Sequence, residues 1–254
     1  MRRRLGQHFL IDEKILDRMV RYGEITRDDV VLDVGAGRGE LTARLAERAG
    51  KVIAVELDQE LAEEARRRLK DYDNVELLVG DILKLKPTGF NKVVSNPPYN
   101  ISTRLLEWLI GEDAERIVLT LQREFASKLV AKPGSTKYLY ISFLSNLLYE
   151  SSVVEFIPRN LFRPMPKVDS AIVLMRRRKG VRKLDEDVKR FVKFLFTRRR
   201  QMLRRILRDL AKKEELAVDF TEVLGDELMS KRVYQLTPSQ LLSVSERFLG
   251  LKAK

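Results

Sequence analysis

The feature that most constrains the fold is a continuous apolar run, residues 30 to 34, that ends in the glycine-rich loop 35 to 39. Apolar residues at helical spacing follow. Strand, glycine loop and helix in this order are typical of the first unit of a doubly wound α/β sheet, where glycines let the backbone approach a ligand closely. Gly35 and Gly37 are therefore candidate ligand-binding residues. Glu40 stands where a dinucleotide-binding loop needs glycine or alanine, which favours a ligand without a pyrophosphate but leaves a dinucleotide open.

Polar side chains follow the next three predicted strands. Glu56 ends the second strand, and its carboxylate can accept both hydroxyls of a ribose. Asp81 and Ile82 follow the third strand, where Asp81 can accept a purine amino group and Ile82 can cover the ring. A turn-forming role for Asp81 is the alternative. Because ligands bind outside the carboxyl ends of parallel strands, we predict that these residues meet Gly35 and Asn96, which ends the fourth strand.

The fourth strand runs into the tetrad Asn96-Pro97-Pro98-Tyr99. Two adjacent prolines fix φ and lack N–H donors, so their carbonyls remain as acceptors in a rigid turn. The amide oxygen of Asn96, the carbonyl of Pro97 and the ring of Tyr99 could together hold a flat group with an exocyclic amine, such as N6 of adenine. Asn-Pro and Pro-Pro pairs are also common in turns that bind nothing. The predicted convergence of four strand ends favours the chemical role.

The composition excludes several kinds of chemistry. With no cysteine and one histidine, the chain has no disulfide, no thiolate zinc site and no cysteine nucleophile, and we expect no metal cofactor. No uncharged apolar run reaches the roughly 18 residues that a membrane-spanning helix needs, and the N-terminus lacks the apolar core of a signal peptide. We therefore expect a soluble cytoplasmic protein that makes no membrane contact.

The net charge of +12 is concentrated in one segment. Residues 176 to 208 contain 15 basic and 3 acidic residues, so the rest of the chain sums to zero. A localised basic excess is typical of a polyanion-binding surface, and a solvated helix face in a charge-rich protein is the alternative. Strand-like patterns end near residue 180, which predicts a main domain of residues 1 to 179 and an all-helical domain of residues 180 to 254. The candidate RNA-binding residues are Arg198, Arg199, Arg200, Arg204 and Arg205.

Motifs across nearly the whole chain resemble those of one enzyme family. They are GQHFL from Gly6, VGAG from Val34, VELD from Val55, GD at Gly80, NPPYNIST from Asn96, QRE from Gln122 and FRPMPKVDS from Phe162. The family is the KsgA type of ribosomal RNA adenine N6,N6-dimethyltransferases, which shares its catalytic half with the Erm enzymes. The extension after Tyr99 and the PKVDS loop are highly specific features, whereas the glycine loop is not.

The resemblance implies a class I, Rossmann-like methyltransferase sheet of seven strands with a small helical C-terminal domain. It implies S-adenosylmethionine as the donor and dimethylation of N6 of two adjacent adenosines near the 3′ end of small-subunit ribosomal RNA during ribosome biogenesis. The partner is then that RNA or a pre-30S-type particle. We separately expect the protein to be a monomer. By position, the family's donor contacts fall on His8, Leu10, Gly35, Glu56, Asp81 and Asn96, and its base-stacking residues on Tyr99 and Phe162.

Two positions depart from the family pattern. His8 stands where asparagine is usual, and Pro97 replaces the usual leucine or isoleucine, as in DNA adenine methyltransferases. The alternatives are therefore an Erm-like enzyme that acts on a large-subunit adenosine, a DNA adenine methyltransferase, and a non-catalytic ribosome assembly factor. Phe162 also has a second interpretation, as the core anchor of its proline-rich loop.

Overall fold

The computed structural model describes residues 8–112, 114–181, 183–215 and 218–252. Its strands are β1 (Phe9–Leu10), β2 (Val30–Val34), β3 (Lys51–Glu56), β4 (Val75–Val79), β5 (Lys92–Ser95), β6 (Arg116–Gln122), β7 (Tyr149–Ile157), β8 (Phe162–Arg163) and β9 (Ser170–Arg177). Its α-helices are α1 (Glu13–Gly23), α2 (Glu40–Ala46), α3 (Gln59–Arg68), α4 (Ile82–Leu85), α5 (Ser102–Gly111), α6 (Arg123–Leu129), α7 (Tyr140–Leu148), α8 (Glu186–Thr197), α9 (Leu203–Lys213), α10 (Phe220–Leu224), α11 (Asp226–Met229) and α12 (Pro238–Lys252).

Seven strands form one mixed sheet in the order β4-β3-β2-β5-β6-β9-β7. Strands β2 to β6 run parallel, and β9 runs antiparallel to β6. Their Val-, Ile- and Leu-rich runs are almost continuously buried in β2, β3, β5 and β6, as expected for strands covered on both faces. Strand β2 pairs with both β3 and β5, so the strand order reverses there, and ligands bind at such a switch point. The predicted seven-stranded α/β sheet is confirmed.

A second, two-stranded antiparallel sheet pairs β1 with β8. Phe9 lies opposite Arg163, and Leu10 lies opposite Phe162. The backbone N–H of Ile11 also donates to the carbonyl of Leu161 at 3.0 Å. The segment before α1 is thereby fastened to the proline-rich loop after β7. Strands of two residues have no periodic pattern, so the sequence does not predict this sheet.

Helix α1 follows the predicted amphipathic pattern. Ile15, Leu16, Met19 and Val20 are buried in the hydrophobic core, which also includes residues of β2, α2 and β3. Asp12 caps the helix, because its side chain accepts a hydrogen bond from the N–H of Ile15 at 3.2 Å. This helix therefore begins where its sequence supplies a cap and an apolar face.

The chain divides into two compact units, Met1–Ser127 with Glu150–Arg178, and Lys128–Tyr149 with Lys179–Lys254. The second unit differs from the predicted helical domain because it also contains residues 128 to 149. The physical reason is aromatic packing: the rings of Tyr138 and Phe143 lie 5.5 and 6.2 Å from the ring of Phe196 in α8. In the described part of the chain, no helix combines the length and apolar character needed to cross a bilayer.

Candidate active site

Two neighbouring cavities lie at the carboxyl ends of the parallel strands in the first unit. One is lined by Asn96 and its three tetrad neighbours together with His8, Phe9, Gly35, Gly37 and Glu56. The other is lined by Glu56, Asp81 and Ile82 with surrounding apolar and glycine residues. Gly35, Glu56 and Pro98 line both cavities. The side chains that follow four strands are thus brought to one edge of the sheet.

The glycine loop has a backbone that only glycine adopts easily. Gly35 has φ +75°, and a Cβ there would lie 3.0 Å from the Cδ of Pro98. The N–H groups of Gly35 and Ala36 both donate to the carbonyl of Val55, at 2.8 and 3.1 Å. Ser95, at the end of β5, bonds through its hydroxyl to the N–H and the carbonyl of Val34. These bonds hold the glycine loop beside the acceptor tetrad.

Glu56 is a buried carboxylate at the junction of the two cavities, only 3% exposed. Its two oxygens accept from the N–H of Gly37 at 2.8 Å and from the N–H of Asp58 at 2.9 Å. Burial raises the pKa of Glu56, while the backbone donors oppose that rise. Each carboxylate oxygen keeps a further lone pair, so Glu56 can still accept from the hydroxyls of a ribose.

Asp81 and Ile82 line the far end of the second cavity. The side chain of Asp81 caps α4 by accepting from the N–H of Leu83 at 2.9 Å. This bond corresponds to the turn-forming alternative, yet a carboxylate has about four acceptor positions and the cap uses one. Ile82 is buried and presents apolar surface to the cavity. The pair can therefore accept an amino group and cover a planar ring at once.

The side-chain amide of Asn96 is held from two sides. Its Nδ2 donates to the carbonyl of His8 at 3.2 Å, and its Oδ1 accepts from the hydroxyl of Thr120. Thr120 is fully buried in β6. Thr120 is a site residue that sequence reasoning misses, because the β5–β6 register, with Ser95 opposite Leu119, brings it beside Asn96. The amide is consequently oriented before any substrate arrives.

Tyr99 is packed on several sides. The His8 ring stacks on it at a centroid distance of 5.6 Å and an angle of 29°, and the Phe162 ring meets it edge-on at 6.4 Å. Its hydroxyl bonds to the hydroxyl of Ser170 at 2.5 Å. Burial raises the pKa of Tyr99 to about 12, so the phenol is neutral at physiological pH. The His8 ring therefore occupies a position in which a planar base could stack on Tyr99.

Two predicted site residues lie in the hydrophobic core. Phe162 is 0% exposed, which matches its alternative interpretation as a core anchor and leaves neither ring face open to a base in this structure. Leu10 is 8% exposed in the same core, while its neighbour Phe9 lines the first cavity. Both are buried because the β1–β8 pairing turns them inward. The stacking role of Phe162 therefore stays a prediction, and its burial favours the alternative interpretation as a core anchor.

Asp33 is a second residue that sequence reasoning misses. It lies in β2, two residues before Gly35, is 1% exposed, and its Oδ2 accepts from the hydroxyl of Thr42 at 2.7 Å. Burial raises the pKa of Asp33 to about 7; the bond from Thr42 opposes this rise and the charge of Glu56 adds to it. The sequence signal that could have identified Asp33 is an acidic residue inside an otherwise apolar strand.

The predicted RNA-binding arginines of the second unit do not form a uniform surface. Arg199 donates to the carbonyl of Thr136 at 2.7 Å, and Arg204 donates to the hydroxyl of Ser230 at 2.5 Å. Arg198 makes an ion pair with Asp209, with a nitrogen–oxygen distance of 3.6 Å. Arg200 and Arg205 are exposed. Arg199 and Arg204 therefore have structural contacts in addition to any contact with RNA.

No cluster of three or more His, Cys, Asp or Glu side chains suited to a metal ion occurs among the residues that the structure describes. The site consists of a glycine cradle, the buried carboxylate of Glu56, the half-buried carboxylate of Asp81, an oriented amide and an aromatic ring. These groups can bind a nucleoside by its ribose and its base, and they can hold a planar amine by hydrogen bonds and stacking.

Comparisons with known proteins agree with this arrangement. The profile of the family described as ribosomal RNA adenine dimethylase matches residues 1 to 248. The chain is 38% identical to the probable ribosomal RNA small subunit methyltransferase A of Methanopyrus kandleri, over 98% of this chain and 94% of that protein. A dimethyladenosine transferase structure from Plasmodium falciparum gives a TM-score of 0.84 at 26% identity, covering 96% of this chain and 98% of that one. The structure of the 23S rRNA methyltransferase ErmE gives a TM-score of 0.66 at 28% identity, covering 94% of this chain and 98% of that one. The chain belongs to the ribosomal RNA adenine dimethylase family.

Proposed function

We propose that this protein transfers methyl groups from S-adenosylmethionine to N6 of two adjacent adenosines near the 3′ end of small-subunit ribosomal RNA. The observation that carries the proposal is the Asn96 amide, which Thr120 and the His8 carbonyl orient beside the cavity lined by Gly35 and Glu56. The relatives named as small-subunit methyltransferases favour this RNA as the substrate.

The residues of the two cavities fit the donor. A Cβ at Gly35 would press against the ring of Pro98, so a glycine at this position keeps the space between the loop and Pro98 open for the donor. Glu56 accepts the ribose hydroxyls, Asp81 accepts the adenine amino group, and Ile82 covers the adenine ring. When bound, S-adenosylmethionine supplies a sulfonium-activated methyl group that a nucleophile can displace. His8 and Phe9 enclose the first cavity, where this methyl group would meet the acceptor.

The acceptor tetrad activates N6 by hydrogen bonding. The lone pair of adenine N6 is delocalised into the ring, which makes the nitrogen a poor nucleophile. In the first transfer, bonds from the two N6 hydrogens to the Asn96 oxygen and the Pro97 carbonyl favour a pyramidal nitrogen with a localised lone pair. The methylated nitrogen then releases a proton to water, and its one remaining hydrogen makes a single such bond in the second transfer. The Tyr99 hydroxyl is neutral and bonded to Ser170, so it is not placed to take up a proton. Orientation and hydrogen bonding, rather than a general base, lower the barrier.

RNA binding is assigned in part to the basic segment. Arg198, Arg200 and Arg205 contact phosphates, while Arg199 and Arg204 chiefly hold the second unit together. Each phosphate contact should contribute to the salt dependence of binding. We further propose that the protein acts as a monomer in the cytoplasm on RNA within an immature small-subunit particle.

The direct test offers labelled donor with three separate substrates, namely small subunits that lack the modification, unmodified large-subunit ribosomal RNA and duplex DNA, and locates the methylated nucleotides. Dimethylation of two adjacent adenosines near the 3′ end is expected. Methylation of a single large-subunit adenosine would instead support the Erm-like alternative, which the ErmE similarity keeps as the second candidate. Transfer to duplex DNA, or to no nucleic acid, would contradict the proposal.

A further inference from the structure

The sequence motif Gln122-Arg123-Glu124 has no part in the mechanism above, although it begins at the last residue of β6, at the edge of the site. Gln122 lies opposite Ser170 in the sheet, and Ser170 bonds to Tyr99. The backbone N–H of Arg123 donates to the carbonyl of Asp169 at 3.0 Å. Arg123 is thus fixed next to the acceptor site, with its side chain at the protein surface.

The guanidinium of Arg123 lies over the ring of Phe156, 4.9 Å from its centroid. Phe156 belongs to β7, the edge strand of the sheet, and it is 59% exposed although the guanidinium covers part of it. A single exposed ring is common on protein surfaces; this one differs because a guanidinium lies over its face and basic residues flank it. We call this arrangement the Phe156–Arg123 pair.

The loop beside the Phe156–Arg123 pair is cationic and rigidly held. The N–H of Arg159 donates to the Asp169 carboxylate at 3.1 Å, and its guanidinium donates to the carbonyl of Lys167 at 3.2 Å. Arg159, Arg163 and Lys167 are exposed. The nearby carboxylate of Glu155 is already engaged by Arg18, with contacts of 2.6 to 3.1 Å. The surface around the ring therefore has an excess of positive charge.

We propose that the Phe156–Arg123 pair is a stacking platform for an unpaired RNA base that flanks the target adenosine, with Arg159 and Lys167 contacting the neighbouring phosphates. This inference rests on the proposed function. An exposed aromatic ring beside cations is the usual platform for single-stranded nucleic acid, since every base has a face that can stack. Hydrogen bonds and strand pairing through Asp169 and Ser170 connect the platform to Tyr99 in the acceptor site.

The variants Phe156→Ala and Phe156→Trp test the platform. Binding is measured with a single-stranded RNA oligonucleotide that contains the two target adenosines and the nucleotides on either side of them. Phe156→Ala should weaken RNA binding and raise KM for small subunits by about tenfold, with kcat unchanged. Phe156→Trp should restore both values, because it keeps an aromatic face. The slope of binding against salt should stay the same in both variants, because stacking releases no counterions.

The cations give a separate readout. Lys167→Ala should lower the salt slope by about 0.7, the value for one phosphate contact on a single strand. Arg67→Ala, an exposed arginine on α3, is the matched control and should leave the slope and the affinity unchanged. Thermal denaturation of each variant shows whether the fold is retained.

The outcomes separate the platform from the proposed function. If the parent protein methylates small subunits and Phe156→Ala binds RNA and turns over like the parent, the platform is refuted. If Phe156→Ala weakens binding to assembled subunits but not to the oligonucleotide, the exposed ring contacts a protein and the inference is also overturned. If the parent methylates no RNA and Phe156→Ala still weakens oligonucleotide binding, the platform stands and the proposed function fails.

Discussion

Asp33→Asn is expected to make the free energy of unfolding less dependent on pH. Asp33 is almost completely buried, and burial raises its pKa to about 7 from the ordinary 3.8. Between these values the folded protein keeps on Asp33 a proton that the unfolded chain has released. The stabilising contribution is therefore complete below about pH 4 and is lost as the pH rises through about 7.

The magnitude follows from the difference between the two pKa values. A difference of about 3 units corresponds to about 4 kcal/mol in full, and about 2.5 kcal/mol of it is lost between roughly pH 5 and pH 8. Asparagine does not titrate, and its amide oxygen can still accept from Thr42. The variant should therefore fold and lack this part of the pH dependence.

Urea unfolding of both proteins at several pH values measures the effect, with m-values compared to check two-state behaviour. Asp28→Asn, which changes an exposed carboxylate close to β2, is the matched control and should follow the parent protein. Parallel curves of unfolding free energy against pH for the parent and Asp33→Asn would refute the reasoning.

Three further substitutions test the site and the second unit. Thr120→Val should lower kcat about tenfold by freeing the Asn96 amide, while calorimetric affinity for S-adenosylhomocysteine stays unchanged; an equal loss of donor affinity would contradict this role. Glu56→Gln should weaken that donor affinity by about tenfold, because a charged acceptor for the ribose is lost, and unchanged affinity would remove Glu56 from the donor site. Arg199→Ala should lower stability by about 1.5 to 3 kcal/mol in thermal denaturation, whereas Arg200→Ala should lower only RNA affinity; equal melting temperatures would show that the Arg199 bond is dispensable.

Local patterns account for the parts of the structure that the sequence predicts. Each of the parallel strands is an apolar run with a polar residue at or just after its carboxyl end. The positions of Glu56 and Asn96 at one sheet edge can therefore be predicted without the structure. Thr120 acts through strand register, which depends on pairing between segments far apart in sequence. The orientation of Phe162 is equally hard to predict from the sequence, because the pairing of a two-residue strand decides whether its ring faces the core or the solvent.

The acceptor site explains the choice of adenine but not the choice of nucleic acid. Asn96, Pro97 and Tyr99 would contact only the base, which is the same in RNA and DNA. Discrimination must therefore come from surfaces that contact the rest of the strand. A stacking platform at Phe156 needs an unpaired neighbour, and a duplex supplies one only after further base pairs open, at a cost of a few kcal/mol. The same ring that strengthens binding to a flexible RNA segment would therefore weigh against duplex DNA.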